Sequence, residues 1–139
     1  GKKIGFCIGC LSCQNTGKCV LKDDMAELNR KLHDCDAVAF STPIYYYEMS
    51  GQMKTFLDRA NPLYGTDYRF RKVYLLATAT DDAETAPDRA LTGLDGWVEC
   101  FERATLAGSV FVGGVTDPGE IDGNDGLSEA YALGKSVKE

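Results

Sequence analysis

No apolar run in this sequence is long enough to cross a membrane. The longest stretches, Val73–Ala77 and Val110–Val115, are strand-sized, against the roughly 18 residues a spanning helix needs. Positive charge is in the minority, with 15 Lys and Arg against 21 Asp and Glu and a net charge of −6. The basic residues are scattered apart from Arg69, Arg71 and Lys72, whereas binding along a nucleic acid needs clustered cations. Neither nucleic acid nor a membrane is therefore an expected partner. Histidine is nearly absent. The single His33 sits near the end of a helical stretch, where it suits the helix dipole, and one histidine with no neighbouring nucleophile proposes no mechanism. No paired carboxylates or Ser/His/Asp arrangement supports hydrolase chemistry. Residues 1–20 lack the succession of a secretory leader, and there are no repeats and no long linker. The 139 residues, 44% hydrophobic and 26% charged, read as one globular domain over 1–139, with a cytoplasmic location expected.

What is plentiful is cysteine at one end. Cys7, Cys10, Cys13 and Cys19 fall in one short segment, while Cys35 and Cys100 stand alone beside apolar stretches and read as small buried residues. A secreted disulfide framework spreads its cysteines, so this concentration points to metal or redox chemistry in a reducing compartment. Three readings stay open for the quartet. Thiols at two-residue intervals, closed by a fourth after Thr16-Gly17, have the spacing of iron–sulfur ligands. Ordinary thiols in a rigid turn fit as well, and zinc, which more often uses two separated pairs, is the third.

The rest of the chain alternates between two periods. Asp23 and Asp24 open a helix with Met25, Leu28 and Leu32 on one face, and Ala37–Phe40 follows as a continuously apolar strand that Thr42-Pro43 is expected to end. Ser50 caps a helix carrying Met53, Phe56 and Leu57. Val73–Ala77 is a second buried strand, and a long helix is expected from about Thr85 to Arg103 with Leu91, Leu94, Trp97, Val98 and Phe101 on its stripe. Ser109–Val112 is a third strand, Asp117-Pro118-Gly119 a turn, and Leu127 to Leu133 a last helix. This alternation predicts an α/β fold, a doubly wound parallel sheet with helices on both faces, whose ligand lies outside the carboxyl ends of the strands. The segments there are Ser41–Gly51, Thr78–Ala86 and Gly113–Asp122.

Within the first of them, an apolar strand runs into a proline, three tyrosines and a small polar helix cap. Backbone amides can bond the polar edge of a planar ring while an aromatic side chain covers its face, which suits a cofactor such as flavin. An interface patch or packed loop is the alternative.

Two motifs together resemble the flavodoxin-like NAD(P)H-dependent FMN reductase family, and within it the iron–sulfur flavoprotein branch. The first is Cys7-Ile8-Gly9-Cys10, Cys13, Thr16-Gly17-Lys18-Cys19 and Lys22-Asp23-Asp24-Met25. The second is Thr42-Pro43-Ile44-Tyr45, Ser50-Gly51-Gln52-Met53-Lys54 and Phe56-Leu57-Asp58-Arg59. The resemblance continues weakly through Gly113-Gly114 and Ala130–Lys135.

It implies a flavodoxin-like three-layer α/β/α fold with FMN at the sheet's carboxyl edge. Thr42, Pro43, Ile44, Tyr45, Tyr46 and Tyr47 with Ser50 and Gly51 would line the flavin ring, and Thr78, Ala79, Thr80 and Asp81 would close its other side. It further implies NAD(P)H as reductant, and a [4Fe-4S] cluster at the positions of Cys7, Cys10, Cys13 and Cys19, in a cysteine loop over 7–19. Tyr47 and Glu48 stand where the family commonly has small residues. The family's opening strand, phosphate loop, helix and second strand are not in this sequence, so the domain reads as incomplete, with the βαβ portion missing at the N-terminus. Ala37–Ser41 would then present an unpaired apolar edge.

The expected function is electron transfer from NAD(P)H through FMN to a small-molecule or protein acceptor, in a homodimer or homotetramer. The alternative is a flavin-free subunit acting as an interaction module.

Overall fold

The computed structural model describes residues 1–137. The elements in chain order are α1 (Ser12–Thr16), α2 (Met25–Asp34), β1 (Ala37–Tyr45), β2 (Glu48–Met49), α3 (Gly51–Arg59), a 3-10 turn (Asn61–Leu63), β3 (Lys72–Thr78), α4 (Asp88–Glu99), β4 (Thr105–Val112) and α5 (Asp125–Ser136). The sheet order is β2-β1-β3-β4, with β1, β3 and β4 parallel and β2 antiparallel to β1.

Local chemistry accounts for the helix starts. Asp23 Oδ1 accepts the Met25 amide at 3.1 Å where α2 begins, and Ser50 Oγ accepts the Met53 amide at 3.3 Å where α3 begins. One face of the sheet carries Phe40, Val73, Leu75 and Ala77, buried against Met25 and Leu32 of α2, Met53 and Leu57 of α3, and Leu94 and Val98 of α4. Trp97 packs half-buried against this core, as its stripe position predicts. Its ring meets Phe40 at 5.8 Å and Phe101 at 4.5 Å, and its indole N–H donates to Leu57 O.

The opposite face carries Tyr74 in register with Gly108. A side chain at Gly108 would strike Leu133 of α5, so α5 covers this face over β3 and β4. The helices thus take both faces, as doubly wound architecture requires. Over β1 that second face is open: Ala39 and Ser41 are exposed. The outer edge of β1 is also bare over 37–43, because β2 pairs only with Ile44 and Tyr45.

Three expectations change. Pro43 does not end its strand; β1 runs on to Tyr45, with Pro43 in register with Thr78. An edge strand tolerates proline, since a missing N–H on its unpaired side interrupts no ladder. Helix α4 is shorter than its apolar stripe suggests. Pro87 precedes it, and successive tight turns at Val98–Phe101 and Phe101–Ala104 swing the chain into β4, which starts four residues earlier than its apolar run. Cys100 is exposed rather than buried, because it caps α4 instead of continuing its inner stripe, and Cys35 is half-buried. Among the described residues no helix is long and apolar enough to cross a membrane.

Candidate functional site

At the carboxyl ends of the parallel strands lies a cleft of about 360 Å³, lined by the β1–β2 turn, the loop after β3 and the segment after β4. Pro43, Ile44, Tyr45, Tyr46 and Tyr47 form one wall; Thr78, Ala79, Thr80 and Asp81 form the other. These nine are sequence-predicted ring contacts, and the fold brings them to one place. Ala86, Val115 and Thr116 complete the lining. These three fall within the strand-end segments 78–86 and 113–122 that the sequence places at the ligand edge, although it does not single them out there as ring contacts.

The remaining three predicted residues sit behind the cleft. Thr42 and Ser50 are buried and bonded to each other: the Ser50 amide donates to Thr42 Oγ1 at 2.9 Å, and that hydroxyl donates to Pro43 O at 2.8 Å. Gly51 is exposed at the first turn of α3. Thr42 and Ser50 brace the turn rather than line the cleft.

The turn has an unusual backbone. Tyr46 and Tyr47 have φ of 51° and 66°, and Tyr45 and Glu48 flank them as a strand pair. Two successive left-handed residues make the tight hairpin turn that normally selects Asn-Gly, and a bulky side chain there is strained by about 1 kcal/mol or more. Tyr46 projects almost wholly into solvent, at 98% exposure. The Tyr47 hydroxyl donates to Asp81 Oδ2 at 3.2 Å, tying one wall to the other, and the Arg89 guanidinium lies 5.8 Å from the centre of the Tyr47 ring.

On the far wall, Thr116 Oγ1 donates to Thr80 Oγ1 at 3.1 Å. Glu120 accepts the Thr116 and Asp117 amides at 2.6 and 2.9 Å, which lowers its pKa from the ordinary carboxylate value. The Val115 amide donates to Ala79 O, so both loops are held by backbone as well. Gly113 is required by packing: a Cβ there would lie 2.6 Å from Asp82 Cα and 2.7 Å from Asp81 O.

This lining combines tyrosine rings, small apolar side chains and threonine hydroxyls, the surface a planar amphipathic ring needs. No lysine or arginine is among the residues lining it. The cleft fits the ring of a flavin, and the described lining supplies no cationic phosphate site.

The four clustered cysteines lie elsewhere, in the segment before α2. Cys7 and Cys10 are exposed, and Cys13 and Cys19 are half-buried. Cys13 Sγ accepts from Asn61 Nδ2 at 3.0 Å, and Cys19 interacts with the Arg59 guanidinium. Arg59 is 1% exposed, pairs with Asp23 at 2.7 and 2.9 Å and donates to Gly5 O at 2.7 Å. Asp23 is thereby held well below the usual carboxylate range, first by Arg59 and then by the Gly5 and Met25 amides, against the opposing effect of burial. The donor set suits a soft metal centre, but among the described residues no three His, Cys, Asp or Glu side chains gather to hold an ion.

The parallel strands β1, β3 and β4, with helices on both faces and an amphipathic cleft at their carboxyl ends, form a flavodoxin-like fold. Residues 4–114 match the profile of the NADPH-dependent FMN reductase family, and the chain belongs to that family. Among curated relatives, an iron-sulfur flavoprotein of Archaeoglobus fulgidus is 33% identical over 138 residues, covering 99% of this chain and 61% of that protein. An iron-sulfur flavoprotein of Methanocaldococcus jannaschii is 28% identical over 152 residues, covering 99% of this chain and 75% of that one. The chain therefore spans only part of the length of these relatives. The Trp repressor binding protein of Bacillus subtilis superposes with a TM-score of 0.67 at 22% identity, over 83% of this chain and 78% of that one. An NAD(P)H:quinone oxidoreductase of Methanothermobacter marburgensis gives 0.64 at 19% identity, over 88% and 66%.

Proposed function

We propose that this chain carries the flavin-ring site of an FMN-dependent oxidoreductase that takes electrons from NAD(P)H and delivers them to an acceptor. The observation that carries the reading is the convergence of Pro43–Tyr47 and Thr78–Asp81 on one cleft at the strand ends, in a chain of the FMN reductase family. Ala79, Ala86 and Val115 offer the ring an apolar bed, the threonine hydroxyls bond its polar edge, and Tyr47 shields it from water while held by Asp81. FMN, when bound, supplies the hydride-accepting chemistry, so the chain needs no general acid or base of its own.

The relatives' names and the cysteine spacing support a second centre, a [4Fe-4S] cluster at Cys7, Cys10, Cys13 and Cys19. The thiols are not gathered in the chain as described, so this part of the reading is tested by iron and sulfide content, and no step is routed through it. Pairing of the bare β1 edge between subunits of a homodimer or homotetramer belongs to the same proposal.

The test is equilibrium titration of the chain with FMN and with riboflavin, followed by quenching of flavin fluorescence. Because the cleft lining offers a ring site and no cation, both should bind, with affinities within about tenfold of each other. Failure of both to bind contradicts the reading. The three adjacent tyrosines at the turn, with Tyr46 fully presented, favour the interaction-module alternative in that event.

A further inference from the structure

A large concavity among the described residues, which the flavin reading leaves unused, lies between the cysteine segment, α2 and the 3-10 turn. Its volume is about 650 Å³, within the range of small-molecule sites. Helix α3 separates it from the cleft: Ser50 caps the helix behind the β1–β2 turn, and Arg59 ends it beneath the cavity, about 14 Å away for nine helical residues.

The walls are apolar, contributed by Leu21, Ala26, Pro62 and Leu63, and the rim carries Lys18, Lys22 and Arg30. This cationic rim belongs to a chain of net charge −6, so it runs against the charge of the rest of the protein. Lys18 and Lys22 make no ion pair among the described residues, and Arg30 reaches Asp34 only at 3.8 Å across exposed surface. The one carboxylate in the lining, Asp23, is already neutralised by Arg59.

The floor is incompletely bonded. Asn29, a lining residue 8% exposed, donates from Nδ2 to Arg59 O and leaves Oδ1 without a partner. A buried polar atom left without a partner is costly, and this one, in a residue of the lining, indicates a group that the chain does not itself supply.

We propose that this cavity is a binding site for a small organic anion with an apolar body, its charge at the lysine rim and its body against Leu21, Pro62 and Leu63. Cys19 lies in the same lining, so the ligand would contact the segment that carries the clustered thiols. The site is distinct from the flavin cleft, and its existence does not depend on the flavin reading.

The test is isothermal titration calorimetry of the chain with naphthoate, its uncharged analogue naphthamide and inorganic phosphate, repeated with FMN present. Naphthoate should bind saturably at one site, naphthamide at least about tenfold more weakly, and phosphate not measurably. Two variants at exposed positions keep the test local, with circular dichroism checking the fold. Lys22→Met should weaken naphthoate about tenfold, and Ala26→Phe, which fills the cavity from the surface of α2, should abolish binding. FMN should not displace naphthoate. No saturable binding, equal binding of the amide, equal binding of phosphate, indifference to both variants or displacement by FMN would each overturn the proposal. Failure of the flavin reading would appear in the FMN titration alone.

Discussion

Asp23 and Arg59 meet in a two-point ion pair, Oδ2 to Nη1 at 2.7 Å and Oδ1 to Nη2 at 2.9 Å, that fastens the end of α3 to the segment entering α2. Arg59 also holds Gly5 O and stands against Cys19, so one buried guanidinium organises the start of the cysteine segment. Asp23→Asn leaves that guanidinium buried beside a neutral partner. It should cost about 3 kcal/mol of unfolding free energy at neutral pH, measured by urea denaturation. A cost under about 0.5 kcal/mol would place the pair among those that contribute nothing measurable.

The same pair sets a pH dependence. The folded-state pKa of Asp23 lies below its unfolded value, so its contribution is fully present above the unfolded value near about 4 and is lost as pH falls through the folded one. Urea stability should fall between about pH 5 and about pH 2 in the native chain, and fall less steeply in Asp23→Asn. Equal slopes would show that other carboxylates carry the acid sensitivity.

The Tyr46–Tyr47 turn yields a prediction of opposite sign. Tyr46 has φ of 51° and a side chain with almost no contacts to lose. Tyr46→Gly removes the backbone strain and should stabilise the chain by about 0.5–1 kcal/mol. A destabilised variant would mean that the exposed ring makes contacts worth more than the strain.

Much of this site was legible in the sequence, for a physical reason. Apolar runs mark buried parallel strands, and the ends of such strands mark the ligand edge, which places segments 41–51 and 78–86 together; the family resemblance is what narrows them to Thr42–Tyr47 and Thr78–Asp81. What escaped depends on contacts between segments distant in sequence. Thr116 reaches Thr80 only because β3 and β4 pair, and Arg59 reads as a polar position on an amphipathic helix until Asp23 and Gly5 close over it. Proline's reputation as a strand terminator misplaced the end of β1, because whether Pro43 interrupts a ladder depends on which side of the strand is paired. The bond from Asn29 Nδ2 to Arg59 O, which joins α2 to the end of α3, left no trace in spacing at all.

Tyr47→Phe separates cleft geometry from stability. The hydroxyl bond to Asp81 is exposed and should be worth under about 1 kcal/mol, so the melting temperature should move little. Flavin affinity should nevertheless drop by about threefold to tenfold, because the two walls lose their tie. An unchanged dissociation constant would make the bond incidental to binding.

Gly113→Ala attacks the cleft from beneath. The added methyl would press on Asp82 Cα and Asp81 O, both backbone, so the loop carrying Asp81 must move. Overpacking of this kind costs about 1–3 kcal/mol, and flavin binding should be lost while far-ultraviolet circular dichroism is retained. Gly114→Ala offers a control, with its nearest neighbour the Asp82 side chain at 3.7 Å and a φ of 70° that adds backbone strain without displacing the loop.

The most direct test of the account is an anaerobic titration of the FMN-loaded chain with NADPH, following the flavin's visible absorbance in the native chain and in Gly113→Ala. The account predicts stoichiometric bleaching of bound flavin in the native chain and none in the variant, which retains no flavin to reduce. A native chain that holds no FMN, or a variant that binds and bleaches like the native chain, would contradict the assignment of the flavin to this cleft.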